Sequence, residues 1–148
     1  MASEEPAGKP ATRKDFLERL RQPQASHFSK MLGIEVTSRE PGRCEASLAV
    51  KEEHTNLGGV AHGGLAASLL DTVMGAAVVS TLGEDEWCAT LQLSVSYLAG
   101  VTPGPVRAEG VVTRRAKRAA FAEGRAFDAE GKLLATAQGT WHVWPSGE

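Results

Sequence analysis

The chain has 148 residues, 42% of them hydrophobic and 23% charged, with a formal net charge of −2. That length suits a single domain with a real core, and the near-neutral charge excludes a global basic field aimed at nucleic acid or an anionic membrane. Cys44 and Cys88 lack C-x-x-C spacing and are too few for a disulfide framework, so they read as two reduced thiols of a cytoplasmic protein.

Residues 1–11 are rich in Pro, Gly, Ala and Glu, carry no apolar signal core, and read as a disordered tail without a secretion or import signal. A short helix is predicted over 12–22, with Phe16, Leu17 and Leu20 on one face and Pro23 as the stop. Residues 25–32 add another helical turn. Residues 33–39 read as a strand, Glu40-Pro41-Gly42 as a turn, and 43–50 as a second strand, before a loop over 51–61. The predicted division is a tail and short helix over 1–24 and one domain over 25–148.

The segment 56–71, NLGGVAHGGLAASLLD, places four glycines and a histidine directly before a long apolar run. From 65 to 82 the only charged residue is Asp71. The stretch 60–82 is long enough to cross a bilayer, which takes about 20 apolar residues. Ser68, Asp71, Thr72, Ser80 and several glycines interrupt it, however, and its ends lack aromatic or basic anchors. A helix apolar on nearly all sides and outside lipid is expected to be wrapped by protein. A lone carboxylate in that setting is costly unless paired, hydrogen-bonded or neutralised, and burial pushes it toward the neutral range that suits a general base. Structural and catalytic roles for Asp71 both remain open at this point.

After the helix the period changes to two. Residues 87–98 have strand character, with Leu91, Leu93, Val95 and Tyr97 on one side and Gln92, Ser94 and Ser96 on the other. Val101-Thr-Pro-Gly-Pro105 is a breaker, 106–114 and 119–128 are strands, 128–131 is a hairpin turn, and 132–144 alternates again. Four consecutive strands with short turns imply an antiparallel meander, and the only apolar partner for its inner face is the helix. The expected fold is α+β: a curved antiparallel sheet of five to six strands wrapped around one long central helix.

That order, with N-x-x-G-x-x-H-G-G before the helix and an acid eight residues after the first Gly of H-G-G, resembles the hotdog-fold thioesterases. The similarity is greatest to the branch typified by the phenylacetate-pathway acyl-CoA thioesterases, and it spans roughly residues 28–144. Asn56, Gly59, His62, Gly63, Gly64 and Asp71 fall where the motif expects them, and Thr90 falls where the family carries a Ser or Thr in the site. The resemblance implies hydrolysis of an acyl-CoA thioester, with Asp71 as general base or nucleophile. CoA is then part of the substrate, and no separate cofactor or metal is expected.

Local physics supports parts of this. The first turn of a helix has N–H groups without intrahelical acceptors and the positive end of the macrodipole, so the Gly63 amide can polarise a carbonyl. Asn56 alone reads as a turn-former; the resemblance adds a role in orienting the thioester or the attacking water. His62 is read as a ring that ties down the glycine loop in preference to a general base. Nothing has the spacing of a nucleophile–His pair or of a metal cluster. Met74, Val78, Phe28 and Leu32 are candidates for an acyl pocket, with aryl-acetyl and medium-chain acyl groups both open.

Gly63 and Asp71 are separated by eight helical residues, about 12 Å along the axis. One carbonyl cannot touch both within one chain, whereas two antiparallel helices about a two-fold axis would let Gly63 of one chain face Asp71 of the other. A homodimer is therefore the least catalytic unit expected, and the resemblance extends this to a tetramer, a dimer of dimers. Arg114, Arg115, Lys117 and Arg118 form the one dense basic cluster, read as a grip on the phosphates of CoA. Without a basic face or flanking aromatics it is not a nucleic-acid site. Two competing readings are a non-catalytic acyl-CoA sensor, which has no need of Asp71, and a hydratase, whose acid–base pair His62 and Asp71 do not match in position.

Overall fold

A computed structural model of the chain describes residues 12–21 and 26–147. The expected tail, the stop at Pro23 and the side chain of Leu20 lie outside these residues. Helix α1 spans Arg13–Arg21 and opens on a reciprocal cap. The Thr12 N–H donates to Asp15 Oδ2 at 2.9 Å, and the Asp15 N–H donates to Thr12 Oγ1 at 3.1 Å. Helix α2, His27–Leu32, is capped by Ser26 and ended by Gly33, whose φ of 78° is the left-handed conformation a helix stop favours. A hairpin follows, β1 (Ile34–Glu40) and β2 (Arg43–Val50). After a short 3-10 turn comes the long helix α3, Gly63–Val79, and then β3 (Glu86–Tyr97), β4 (Gly104–Arg115), β5 (Ala119–Phe127) and β6 (Leu133–Pro145).

All six strands form one antiparallel sheet in the order β1-β2-β4-β5-β6-β3, and α3 packs on its inner face. The fold class is as expected, but the continuous meander is not. Strands β4, β5 and β6 are consecutive neighbours, whereas β3 pairs with β6 at the far edge and β4 pairs with β2. The segment between β3 and β4 is therefore a crossover and not a hairpin turn. It contains Pro103, and Pro105 follows as the second residue of β4; neither donates a backbone hydrogen bond. Its start is pinned by the Leu98 and Ala99 N–H groups on Leu134 O, and Val101 O accepts the Ala61 N–H at 2.7 Å.

One face of α3 is core: Leu65, Leu69, Leu70, Val73, Met74, Ala77 and Val78 are buried against the sheet. Full burial of each large side chain contributes about 1.5–3 kcal/mol. The helix approaches β4 so closely at Gly110 that a Cβ there would lie 2.7 Å from the backbone of Val73 and Met74. The sheet wraps α3 as expected and leaves its other side open. Gly64 is exposed, and Ser68, Asp71, Thr72, Gly75, Ala76 and Val79 are only half-buried, because a single curved sheet covers one side of a cylinder.

Helix α1 leans on the start of β3. The Arg13 guanidinium lies 5.0 Å from the Phe16 ring and 5.1 Å from the Trp87 ring, and burial lowers its pKa. Nearby, Glu86 accepts from Arg115 at 2.7 Å and from the Gly83 N–H at 2.9 Å. These bonds hold its carboxyl below the usual carboxylate range. A depressed pKa contributes stability that is present above the unfolded value, about 4.3, and is lost as pH falls through the folded one. Urea unfolding should therefore show the wild type losing more stability between about pH 5 and pH 3 than Glu86→Gln; equal losses would refute the linkage.

Candidate active site

The chain enters α3 through a loop that is bonded to itself. Asn56 Oδ1 accepts the Gly58 N–H at 2.8 Å, Asn56 O accepts the Gly59 N–H at 3.0 Å, and Asn56 N–H donates to Val60 O at 2.8 Å. Gly59 has φ of 78°, a conformation that residues with a Cβ rarely adopt. The loop is tied to its surroundings where His62 N–H donates to His54 O at 2.9 Å. With its oxygen occupied, Asn56 has its Nδ2 amide left to offer outward.

His62 is the N-cap of α3. Its Nδ1 accepts the Gly64 N–H at 2.9 Å, satisfying one of the orphan donors of the first turn. Gly63, the first helical residue, carries an amide with no intrahelical acceptor. Tyr97 stands against it: its hydroxyl donates to Gly63 O at 2.7 Å, and a Cβ on Gly63 would lie 3.2 Å from the ring. Sequence reasoning placed Tyr97 only in a strand. The available signal was that it is the chain's single tyrosine.

Two turns along, Asp71 Oδ1 accepts the Thr90 hydroxyl at 3.0 Å. Thr90 reaches it because β3 carries a bulge. Thr90 pairs with Trp141 and Gln92 with Thr140, so Leu91 is an extra residue. Cys88 and Thr90 lie opposite Val143 and Trp141, and Leu93, Val95 and Tyr97 lie opposite Gly139, Ala137 and Ala135, all of them buried partners. The expected face of Leu91, Leu93, Val95 and Tyr97 is thus corrected: the bulge shifts the phase and leaves Leu91 67% exposed. Asp71 itself is half-exposed, so the desolvation expected from its apolar neighbours in sequence is not imposed within one chain. Ser68 and Thr72, on the same open side, donate to the carbonyls of Gly64 and Ser68, both at 2.7 Å.

A cavity of about 370 Å³ opens beside the start of α3, with His62, Gly63 and Tyr97 in its wall. None of the four residues expected to line an acyl pocket borders it. Met74 and Val78 are sealed in the core, Phe28 is exposed, and Leu32 packs on the core's edge.

The basic cluster divides. A bulge between Val112 and Arg114 puts Arg115 opposite the buried Ala120, from where its guanidinium bonds Glu86 and the Ala116 carbonyl. Arg114, Lys117 and Arg118 are exposed. Among the described residues no three His, Cys, Asp or Glu side chains group as metal ligands, and no helix is long and apolar enough to cross a membrane.

A sequence profile of the thioesterase superfamily matches residues 58–135. The chain is 34% identical over 120 residues to a putative esterase of Saccharolobus solfataricus, covering 81% of this chain and 85% of that one. It is 30% identical over 126 residues to acyl-coenzyme A thioesterase 13 of Homo sapiens, covering 81% and 87%. A conserved Pseudomonas aeruginosa protein of known structure superposes with a TM-score of 0.78 at 32% identity, over 84% of this chain and 98% of that one. The E. coli PaaI protein of the phenylacetic acid degradation operon superposes with a TM-score of 0.75 over 86% and 88%, and at 20% identity it shows the shared fold.

Proposed function

The chain belongs to the thioesterase superfamily and is a thioester hydrolase, and from that premise we propose that it cleaves acyl-CoA to a free carboxylic acid and CoA at sites shared between two subunits. The observation that carries this reading is the Asp71–Thr90 pair on the open side of the helix that begins at Gly63. The Gly63 N–H donates to the thioester oxygen and stabilises the negative charge that develops on it. Thr90 holds Asp71 Oδ1, leaving Oδ2 to take a proton from water as the water oxygen bonds to the carbonyl carbon. When the C–S bond breaks, that proton passes to the departing thiolate. In the other route an Asp71 oxygen attacks the carbonyl carbon, the C–S bond breaks to release the CoA thiolate, and the resulting mixed anhydride is opened by water. Single-turnover hydrolysis in oxygen-18 water separates them, because only direct attack leaves label in Asp71. Asn56 Nδ2 assists at the carbonyl or the water, and His62 keeps the glycine turn in place.

Gly63 and Asp71 sit about 12 Å apart along one helix, so the base comes from the partner subunit. The open face of α3 suits this pairing: its residues are small, and its hydroxyls are bonded within the helix. Strand β3 is a sheet edge of 12 residues bearing an exposed Leu91, a surface that demands cover. A second copy joined at β3 about a two-fold axis covers both. Exposed Val111 and Phe121 offer a further apolar contact for a dimer of dimers. Arg114, Lys117 and Arg118 face the CoA phosphates, while Arg115 serves Glu86. The reaction takes place in the cytoplasm and requires no cofactor beyond the CoA of the substrate.

Complementation tests the shared site. Gly63→Pro deletes the amide, and the backbone accepts it because proline is tolerated at the first helical position and His62, with ψ of 137°, already has the extended conformation a following proline requires; its Cβ, 3.2 Å from the Tyr97 ring, asks that ring to shift by a few tenths of an ångström. Asp71→Asn removes the base. Each variant alone should be inactive, and a co-expressed mixed dimer should recover about half the wild-type rate, because one of its two sites is intact. A mixed dimer as inactive as its parents would overturn the partner-subunit role.

A further inference from the structure

The cavity beside the start of α3 has a wall of one kind. Leu48, Val50, Leu65, Leu69, Val106 and Leu134 are among its aliphatic lining, and no charged residue borders it. Its two polar side chains, His62 and Tyr97, both spend a hydrogen bond on the glycine turn at its rim. A space of about 370 Å³ is out of proportion for a packing defect, because native interiors are close-packed and voids cost stability. It falls instead within the range of roughly 300–1,000 Å³ typical of small-molecule sites. Gly63 is itself part of the wall, so the cavity adjoins the residue whose amide is proposed to hold the carbonyl.

We propose that this cavity is the acyl pocket and that it selects acyl groups that are hydrocarbon to their end, aliphatic or unsubstituted phenyl, against those ending in a hydroxyl or carboxylate. The proposal rests on the thioesterase reading above. The pocket lies within the subunit that supplies Gly63, so one chain chooses the acyl group and its partner supplies the base. The selectivity follows from desolvation: a hydroxyl or carboxylate placed among the aliphatic side chains, away from His62 and Tyr97, loses water and gains no side-chain partner.

The test compares octanoyl-CoA with the dicarboxylic acyl-CoA of equal length, and phenylacetyl-CoA with its 4-hydroxyphenyl counterpart, by free-thiol release. The hydrocarbon member of each pair should have kcat/KM at least about tenfold higher, in keeping with the discrimination one polar group meets in an apolar pocket. Two variants act in opposite directions. Ala126→Leu fills the cavity and should depress octanoyl-CoA at least about tenfold relative to acetyl-CoA, while Leu134→Ala enlarges it and should shift the preference toward longer chains. Proportional changes across all chain lengths in both variants, or equal rates within each substrate pair, would overturn the proposal. Non-hydrolysable alkyl-CoA thioethers read the pocket independently. Calorimetric binding that tightens with alkyl length, together with absent hydrolysis, would sink the thioesterase reading and leave the pocket standing. Binding indifferent to length would remove the pocket alone.

Discussion

Asp71→Asn is expected to lower kcat for acyl-CoA hydrolysis by about a thousandfold, within the range of 10²–10⁴ contributed by a positioned general base. The substitution keeps the size of the side chain and an oxygen for the Thr90 hydroxyl, which now lies 3.0 Å from Asp71 Oδ1. The helix and the bulged strand therefore stay in register, and the change is confined to the group that takes the proton. KM should move little, because the acyl and CoA contacts lie elsewhere. Thr90→Ala should cost less, about tenfold, since it removes the hydrogen bond that orients the carboxylate and leaves the charge in place. Both are read by thiol release under saturating substrate, with circular dichroism confirming the fold. An Asp71→Asn enzyme within a few-fold of wild type would end the assignment.

Gly110→Ala has the largest effect expected on stability. A Cβ at this position would sit 2.7 Å from Val73 C, Val73 O and Met74 N, all of them helix backbone. No rotamer change relieves that contact, so α3 must move off the sheet along its most buried turn. Overpacking that side chains absorb costs about 1–3 kcal/mol, and a clash with backbone belongs at or above the top of that range. Gly124→Ala is the control, because its new Cβ would meet side-chain atoms of Leu70 and Met74 at 3.1–3.2 Å, which can shift. Urea unfolding should give about 3 kcal/mol or more for Gly110→Ala and about 1 kcal/mol for Gly124→Ala. Similar values for the two would refute the account. Because α3 carries both Gly63 and Asp71, residual Gly110→Ala protein should also lose turnover beyond its loss of folded fraction.

Much of this site was legible in the chain itself because its signals are local. The run of glycines before an apolar stretch, the histidine at the cap position and the acid two turns later are properties of one helix and the loop that leads into it. What escaped sequence reading depends on strand register. The bulge at Leu91 brings Thr90 onto the face of Leu93, Val95 and Tyr97, where it meets Asp71, and removes Leu91 from the face that alternation counted along β3 gave it. A second bulge, after Val112, turns Arg115 inward to Glu86 and divides a cluster that reads as uniform in sequence. The four residues named from sequence for an acyl pocket do not border the cavity beside the helix start, for a related reason. Met74 and Val78 are apolar and close to the acid, but they lie on the side of α3 that β4 and β5 seal.

The sequence by itself determined the long helix, its glycine start, the acid within it and the strands on either side. Period, capping and turn chemistry act over a few residues and do not need the rest of the molecule. Only the tertiary structure decided that β3 crosses to pair with β6, that Tyr97 closes on Gly63, that Asp71 stands half-exposed beside Thr90, and where a cavity remains beside the helix start. Those outcomes follow from which distant surfaces bury one another, a sum of many weak contacts that no short stretch of chain contains.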